Sequence, residues 1–126
     1  IHKLVCKLKL DGEINKSVEV RKFDAPYHES DHVLNIAGNI LSSGTCMEDI
    51  EWSRNNETYM NGLAAQRVPV PTTAGDFLRR FSGHSILELQ ETFNTTRKKV
   101  WALQDGPFSK EEILDIDGTI TETTRE

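Results

Sequence analysis

A segment with two prolines, QRVPVP at residues 66–71, constrains the fold of this chain more than any other feature. Proline fixes its own φ, lacks a backbone donor, and disfavours the helical conformation of the residue before it. Residues 66–71 must therefore be extended, and helices must lie on either side of them. Directly afterwards, Thr72 and Thr73 can cap a helix with Asp76 in its first turn, and Gly83 predicts its end. Apolar residues at helical spacing form its buried stripe: Ala74, Phe77, Leu78 and Phe81.

Helices are also predicted before the prolines. Ser30 or Asp31 can cap a helix that Gly44 ends, and Thr45 and Glu48 fit a capping box for a short helix that follows. Another short helix should follow Asn55 and Asn56, so the two short helices cover about residues 45–53 and 56–64. The first of these three helices has apolar residues at helical spacing: Val33, Leu34, Ile36, Ala37, Ile40 and Leu41.

The longest predicted helix runs from about Ser85 to Gln104. Its expected buried residues are Ile86, Leu89, Phe93 and Val100. Cations occupy its last turns, where they suit the helix dipole. Asp105-Gly106-Pro107 then ends the helix.

Both ends of the chain read as strands. Leu4, Cys6, Leu8 and Leu10 alternate with other residues before an Asp11-Gly12 turn signal, which predicts an N-terminal β-hairpin over residues 1–25. Residues 113–120, ILDIDGTI, alternate in the same way near the C-terminal end. The expected fold class is therefore α+β: a hairpin, a helical region over 26–106, and the first strand of a further domain over 107–126.

The bulk composition excludes several classes of protein. No apolar run approaches the roughly 20 residues of a membrane span, and the N-terminal residues lack a signal-peptide pattern. The two cysteines are forty residues apart with no CxxC, which argues against a thiolate zinc site and favours reduced structural thiols. The net charge of −5 argues against indiscriminate nucleic-acid binding. Several cations nevertheless cluster in the second half of the chain.

Asp115 and Asp117 are the strongest chemical signal. Side chains alternate along a strand, so these two carboxylates would share one face, and Gly118 would let a ligand come close. Like charges repel, and such a pair usually serves a hard cation. The alternative is an exposed strand end followed by a simple Asp-Gly turn, and the residues alone weigh the two about equally.

Two families share this motif. DIDGT resembles the nucleophile motif of haloacid dehalogenase-type phosphatases, in which the first aspartate attacks phosphorus and the second is an acid/base. That motif opens a domain of well over a hundred residues, whereas few residues follow Thr119 here. A phosphatase remnant is therefore the weaker interpretation.

The broader resemblance is to bacterial insertion-sequence DDE transposases. Residues 31–81 resemble a helical segment of these proteins, with PTTAGDFLRRF the most specific part. A helix with the basic, Trp-containing end TTRKKVW and a DxDGT strand follow in the family's order, so the similarity covers about residues 26–126. The pattern departs at Arg125, where the family-like sequence has glycine.

The resemblance implies an RNase H-like catalytic core that cuts and joins DNA strands. In such proteins two aspartates and a glutamate hold two Mg²⁺ ions. Asp117 corresponds best to the first metal-binding, catalytic aspartate, with Asp115 as a neighbouring carboxylate or the alternative ligand. The other two acids would lie beyond residue 126, so the chain is expected to be an N-terminal part that is inactive alone. The implied setting is the bacterial cytoplasm, at the nucleoid, and the implied full-length assembly is a homodimer. A truncated regulatory protein that only binds DNA is the alternative.

The implied partner is double-stranded DNA, both the terminal inverted repeats and the target. The two short helices and the helix after Thr73 could form a helix-turn-helix-like cluster. Phosphate contacts are expected from five cations: Arg79, Arg80, Arg97, Lys98 and Lys99. The alternative is that Arg80 pairs with Asp76 and the other cations only solvate a surface. Trp52 and Trp101 are expected to be core or interface anchors.

Overall fold

The computed structural model describes residues 2–20 and 26–104, and its regular structure in these two ranges is entirely helical. The helices are α1 (His2–Leu8), α2 (Leu10–Ser17), α3 (Glu29–Leu41), α4 (Ile50–Ser53), α5 (Glu57–Leu63), α6 (Pro71–Leu78) and α7 (Gly83–Trp101). A single turn of 3-10 helix, Met47–Asp49, precedes α4. The expected α+β class is therefore wrong for the described part of the chain. The predicted strand over 113–120 lies outside the described residues.

The predicted N-terminal hairpin is replaced by α1 and α2. The alternating residues do not share a buried face, since Leu4 is 60% exposed and Cys6 is also exposed. A helical stripe prevails instead, because Ile14 and Val18, four residues apart, are both fully buried. The alternation of lysine with apolar residues was the misleading signal.

The Asp11-Gly12 pair lies inside α2 and forms no hairpin turn. Lys9 has φ 54° and separates the two helices, and its carbonyl accepts from the Glu13 backbone N–H at 3.1 Å. Asp11 and Glu13 then occupy the first turn of α2, where carboxylates suit the helix dipole. Two acids that favour a helix start thus replace the predicted turn.

Helix α3 is present as predicted, but it is oriented with polar side chains toward the interior. Its start is tied down by Asp31, whose Oδ2 accepts from the His28 backbone N–H at 2.7 Å. The apolar Ile40 and Leu41 are about two-thirds exposed. The buried residues of the helix are Glu29, Ser30, His32, Asn35, Gly38 and Asn39.

The polar side of α3 is hydrogen-bonded to surrounding segments. Asn35 donates from Nδ2 to the Pro69 carbonyl at 3.3 Å, and its Oδ1 accepts from the Tyr59 hydroxyl at 3.0 Å. Asn39 donates to the Cys46 carbonyl at 2.9 Å. These bonds hold α3 against the proline segment, α5 and the 3-10 turn, although Asn39 Oδ1 is buried without a hydrogen-bond partner among the described residues.

The connection after α3 differs from the predicted capping box. Asp49, instead of Glu48, accepts at Oδ2 from the backbone N–H groups of Thr45 and Cys46, at 2.7 and 3.1 Å. Gly44 approaches Asn39 so closely that a Cβ there would overlap the Asn39 amide. That close approach accounts for the glycine at the end of the loop.

The proline segment behaves as predicted over residues 67–70, which lie outside any regular element. The predicted cap at Thr72 and Thr73 is wrong, because Val70 is the N-cap of α6 and Pro71 is its first residue. Proline suits that position because its missing N–H would be unpaired there anyway. Helix α6 ends at Leu78, earlier than the Gly83 stop predicted. Ser82 instead caps α7, its hydroxyl accepting from the Ser85 backbone N–H at 3.2 Å.

Helix α7 presents hydroxyl groups to the interior. Its buried residues are Ser85, Thr92 and Thr96, whereas Ile86, an expected core residue, is 47% exposed. Both threonine hydroxyls donate to carbonyls four residues earlier at 2.9 Å, which satisfies them inside the helix. Thr92 also lies 2.6 Å from the Ser17 hydroxyl and so joins α7 to α2.

The apolar core lies between α2, α3, α6 and α7. Its buried residues are Ile14, Val18, Val20 and Phe77, with Leu10, Val33, Ile36, Phe81, Leu89 and Phe93 packed around them. His32 enters this core from α3 and stacks on Phe77, with ring centroids 4.3 Å apart and an interplanar angle of 8°. This core sets the position of α7, which carries most of the predicted DNA-contacting cations.

Candidate nucleic-acid interface

The five predicted DNA-contacting cations are all exposed, but the fold separates them into two groups. Arg79 and Arg80 lie just before α7, and Arg97, Lys98 and Lys99 lie at its C-terminal end. With a helical rise of 1.5 Å per residue, the fourteen residues from Gly83 to Arg97 separate the groups by about 20 Å. Any DNA contact must therefore involve one group or span both.

The first group is partly neutralised. Arg79 Nη2 lies 2.6 Å from Asp76 Oδ1, three residues earlier in the sequence. Asp76 therefore pairs with Arg79, and not with Arg80 as the alternative interpretation of the sequence predicted. Both members of this pair are well exposed, and an exposed pair adds little stability. Arg80 remains an exposed cation beside the pair.

The second group combines one tethered cation with two on the outer side of α7. Lys99 Nζ lies 3.6 Å from Glu13 of α2, so its charge faces a carboxylate. Arg97 donates to the Asn94 side-chain oxygen at 2.6 Å, a bond that orients the guanidinium and leaves its charge in place. Arg97, Lys98 and Trp101 share one side of the helix, since they span about 100° around its axis. Thr92 and Thr96 face the interior on the other side.

Acidic residues limit where DNA can approach α7. Glu88 and Glu91 line a shallow groove against α2 that also contains Glu13 and Lys16. Glu88 is nine residues from Arg97 and therefore lies about 180° away around the helix. Glu91 is seven residues from Lys98 and therefore lies on nearly the same side of the helix, about 10 Å away, so phosphate approach is least hindered at Arg97.

The predicted helix-turn-helix-like cluster lacks the charge for DNA contact. Helices α4 and α5 contain no lysine or arginine, and Arg54, which follows α4, is paired with Glu51 at 3.1 Å. Residues 46–63 contain four carboxylates and one guanidinium, a net charge of −3. A recognition helix in this region would meet phosphates with negative charge, which makes it a poor reader of DNA.

Three pKa shifts describe the electrostatics beside this acidic segment. The backbone N–H groups of Thr45 and Cys46 hold the pKa of Asp49 below its ordinary value, because they stabilise the carboxylate. The pKa of the Cys46 thiol is raised: the Asp49 backbone N–H opposes the rise, but the Glu48 and Asp49 side chains and lost hydration outweigh it. Burial raises the pKa of Tyr59, since a phenolate would lose its hydration. Asp49 therefore keeps its negative charge at mildly acidic pH.

The catalytic part of the prediction lies elsewhere in the chain. Asp115 and Asp117, the predicted metal ligands, lie outside the described residues. Within 2–20 and 26–104, no three His, Cys, Asp or Glu side chains are grouped as a metal site would need. Within the same ranges, no helix combines the length and apolarity that crossing a membrane takes.

Two features of this region were not found from the sequence. Trp52 was expected to be a core or interface anchor, but it is 85% exposed and is therefore not a core residue. It lines a groove between α3, α4 and α5 together with Tyr59 and Leu63. The close spacing of Trp52, Asn56, Tyr59 and Leu63 over three helical turns was the available signal, although Asn55-Asn56 interrupts the helix.

Searches against protein-family models, curated proteins and solved structures gave no match.

Proposed function

We propose that this chain is the DNA-end-binding part of a DDE transposase and contacts duplex DNA through the outer side of α7. The observation that carries the proposal is the pair Arg97 and Lys98, which are exposed neighbours on α7, with Arg97 on the side of the helix opposite Glu88. Arg80, which precedes α7 and lies about 20 Å from Arg97, is a further exposed cation. The family resemblance of residues 26–126 supports the same role.

Phosphate contact is the chemistry that this surface offers. Arginine and lysine at a helix end bind the backbone and position the protein, whereas base readout needs side chains in a groove. The cations named here therefore account for affinity and not for sequence preference. The proposed role in the parent enzyme is to hold the transposon end while Asp117, with Asp115 beside it, holds catalytic Mg²⁺.

The test is a salt titration of binding to a fluorescein-labelled DNA duplex of mixed sequence, followed by fluorescence anisotropy. Three phosphate contacts predict a slope of about −3 in a plot of log affinity against log salt. Lys98→Ala should reduce the slope by about 1, because one fewer counterion is released. Lys3→Ala, which removes an exposed lysine from α1, is the matched control and should leave the slope unchanged.

A slope that Lys98→Ala and Lys3→Ala change equally would contradict the proposed interface. Binding that is absent at low salt would contradict the proposed function itself.

Catalysis is tested separately. The purified chain should not nick supercoiled DNA in the presence of Mg²⁺, because a second aspartate and a glutamate are required for the two-metal site. Nicking that Asp117→Asn abolishes would show that this expectation is wrong.

A further inference from the structure

The groove that Trp52 lines has the character of a docking surface. Its volume is about 670 Å³, and it is bounded by Gly38 of α3, Trp52 of α4 and the α5 residues Tyr59 and Leu63. Leu41, beside the groove residue Ser42, is 66% exposed. Exposed aromatic and aliphatic side chains around one concave surface are typical of protein interaction sites.

The edge of this groove is negatively charged. Glu57 lies between the groove residues Asn56 and Thr58, and Glu51 precedes Trp52. Arg54 contacts both carboxylate oxygens of Glu51, at 3.1 and 3.3 Å, but residues 46–63 as a whole have a net charge of −3. An occupant should therefore combine an apolar side chain with positive charge.

The C-terminal end of α7 has this complementary character. Trp101 is 49% exposed and Leu103 is 69% exposed. Arg97 and Lys98 share the side of the helix that carries Trp101, as argued above. An aromatic side chain between two cations thus lies on the outer surface of the same molecule.

We propose that the α7 end of one copy of this chain docks into the Trp52 groove of a second copy. Trp101 and Leu103 would contact the aromatic wall of the groove, and Arg97 and Lys98 would face Glu51 and Glu57. The contact joins two different surfaces, so a closed dimer would contain it twice.

This contact uses the same cations as the proposed DNA interface, although it does not depend on that function. Carboxylates of the groove edge and phosphates of DNA compete for Arg97 and Lys98. A duplex that binds these cations therefore favours the dissociated chain by mass action. Self-association and DNA binding should exclude each other at the α7 end.

The experiment is sedimentation equilibrium of the full chain up to about 1 mM, where even weak interfaces associate. We expect reversible association that high salt weakens. Lys98→Glu and Glu57→Lys should each raise the dissociation constant about tenfold or more, because either one places like charges together. The double variant should restore association, and Lys3→Glu on α1 is the control that should not alter it.

A second readout does not depend on the charge variants. The chain has two tryptophans, and both lie at the proposed contact. In Trp52→Phe and Trp101→Phe, the remaining indole should shift its emission to shorter wavelength as concentration rises. Trp52→Ala removes a side chain that is 85% exposed, so it should abolish association without unfolding the protein.

A chain that stays monomeric throughout, with tryptophan emission independent of concentration, overturns the proposal. Association that persists in Lys98→Glu and Trp52→Ala also overturns it, because another surface must then be responsible. Association without any DNA binding would support this contact while refuting the proposed function.

Discussion

The two sides of the interior are built from different chemistry. Around α2 and α6 the buried side chains are apolar, with Ile14, Val18 and Phe77 almost fully inaccessible, and α7 adds the buried hydroxyls of Thr92 and Thr96. Around α3, amide and imidazole side chains are buried, with Asn35 at 1% and Asn39 at 4% exposure. Apolar contacts tolerate any residue of suitable volume, whereas buried amides require particular partners. The apolar side therefore supplies most of the stability, and the polar side determines how α3 is placed.

The largest expected effect is at the centre of the apolar side. Phe77→Ala removes a ring that packs on His32 and Phe81 and should lower the free energy of unfolding by about 3–5 kcal/mol. Leu78→Ala, at the neighbouring position with 45% exposure, should cost much less. Urea denaturation of both variants measures the difference. Equal losses would show that α6 is not packed through Phe77.

The next effect is at the polar side. Asn35→Ala removes the donor to the Pro69 carbonyl and one of the two acceptors of the Tyr59 hydroxyl, leaving the Asn35 backbone carbonyl, and should cost about 2 kcal/mol. Asn61→Ala, at an exposed position of α5, serves as the amide control and should stay within about 0.5 kcal/mol of the parent. If Asn35→Leu were as stable as the parent, the polar side would be dispensable for folding.

A smaller effect is expected from the hydroxyl alone. Tyr59→Phe should cost about 1 kcal/mol, because the ring stays in place and only the bond to Asn35 is lost. The pKa of Tyr59 is raised by burial, so the folded state holds its proton longer than the unfolded state. The contribution of Tyr59 ionisation to the free energy of unfolding is therefore fully present below pH 10, the ordinary pKa of tyrosine. It is lost as pH rises through the folded-state pKa. Absorbance titration of the two tyrosines should lose its more alkaline component in this variant.

The smallest effect concerns Asp49, which is exposed to solvent. Its folded-state pKa is lowered, so its contribution is present above the ordinary value of 3.8 and is lost as pH falls through the folded-state pKa. Asp49→Asn should therefore lower the urea midpoint slightly at pH 7, and the difference from the parent should shrink in acid. A difference that is independent of pH would indicate that the carboxylate charge is not what holds Thr45 and Cys46.

Local patterns predicted several helices and failed at the N-terminal end. The helices after Ser30, Asn56 and Pro71 were foreseeable, because caps and prolines act through bonds within a few residues. The absence of the predicted hairpin was not foreseeable. Alternation of apolar residues over about ten positions fits a strand, but it also fits a helix whose buried residues come later in the sequence. Ile14 and Val18 decided between the two by packing against Phe77, sixty residues away in sequence.

The predicted DNA-contacting cations show the same difference between what local sequence predicts and what tertiary packing decides. Their exposure could be foreseen from residue type, but their pairing could not. Asp76 pairs with Arg79 instead of Arg80, since α6 ends at Leu78 and the turn redirects the next side chain. Lys99 faces Glu13 only because α2 packs beside α7.

The sequence by itself determined the extended proline segment and the presence of helices beside it, because these depend on backbone sterics. It also determined the number of charged side chains, which depends only on residue type. Tertiary structure decided which side of α3 and α7 is buried, and the choice followed the apolar pattern only in part: Val33, Ile36, Leu89 and Phe93 pack on the core, whereas Ile40, Leu41 and Ile86 are exposed and polar residues are buried. The physical reason is that a buried amide or hydroxyl is stable wherever a partner lies within bonding distance. Such partners, like Pro69 for Asn35 and Ser17 for Thr92, come together only when the chain has folded.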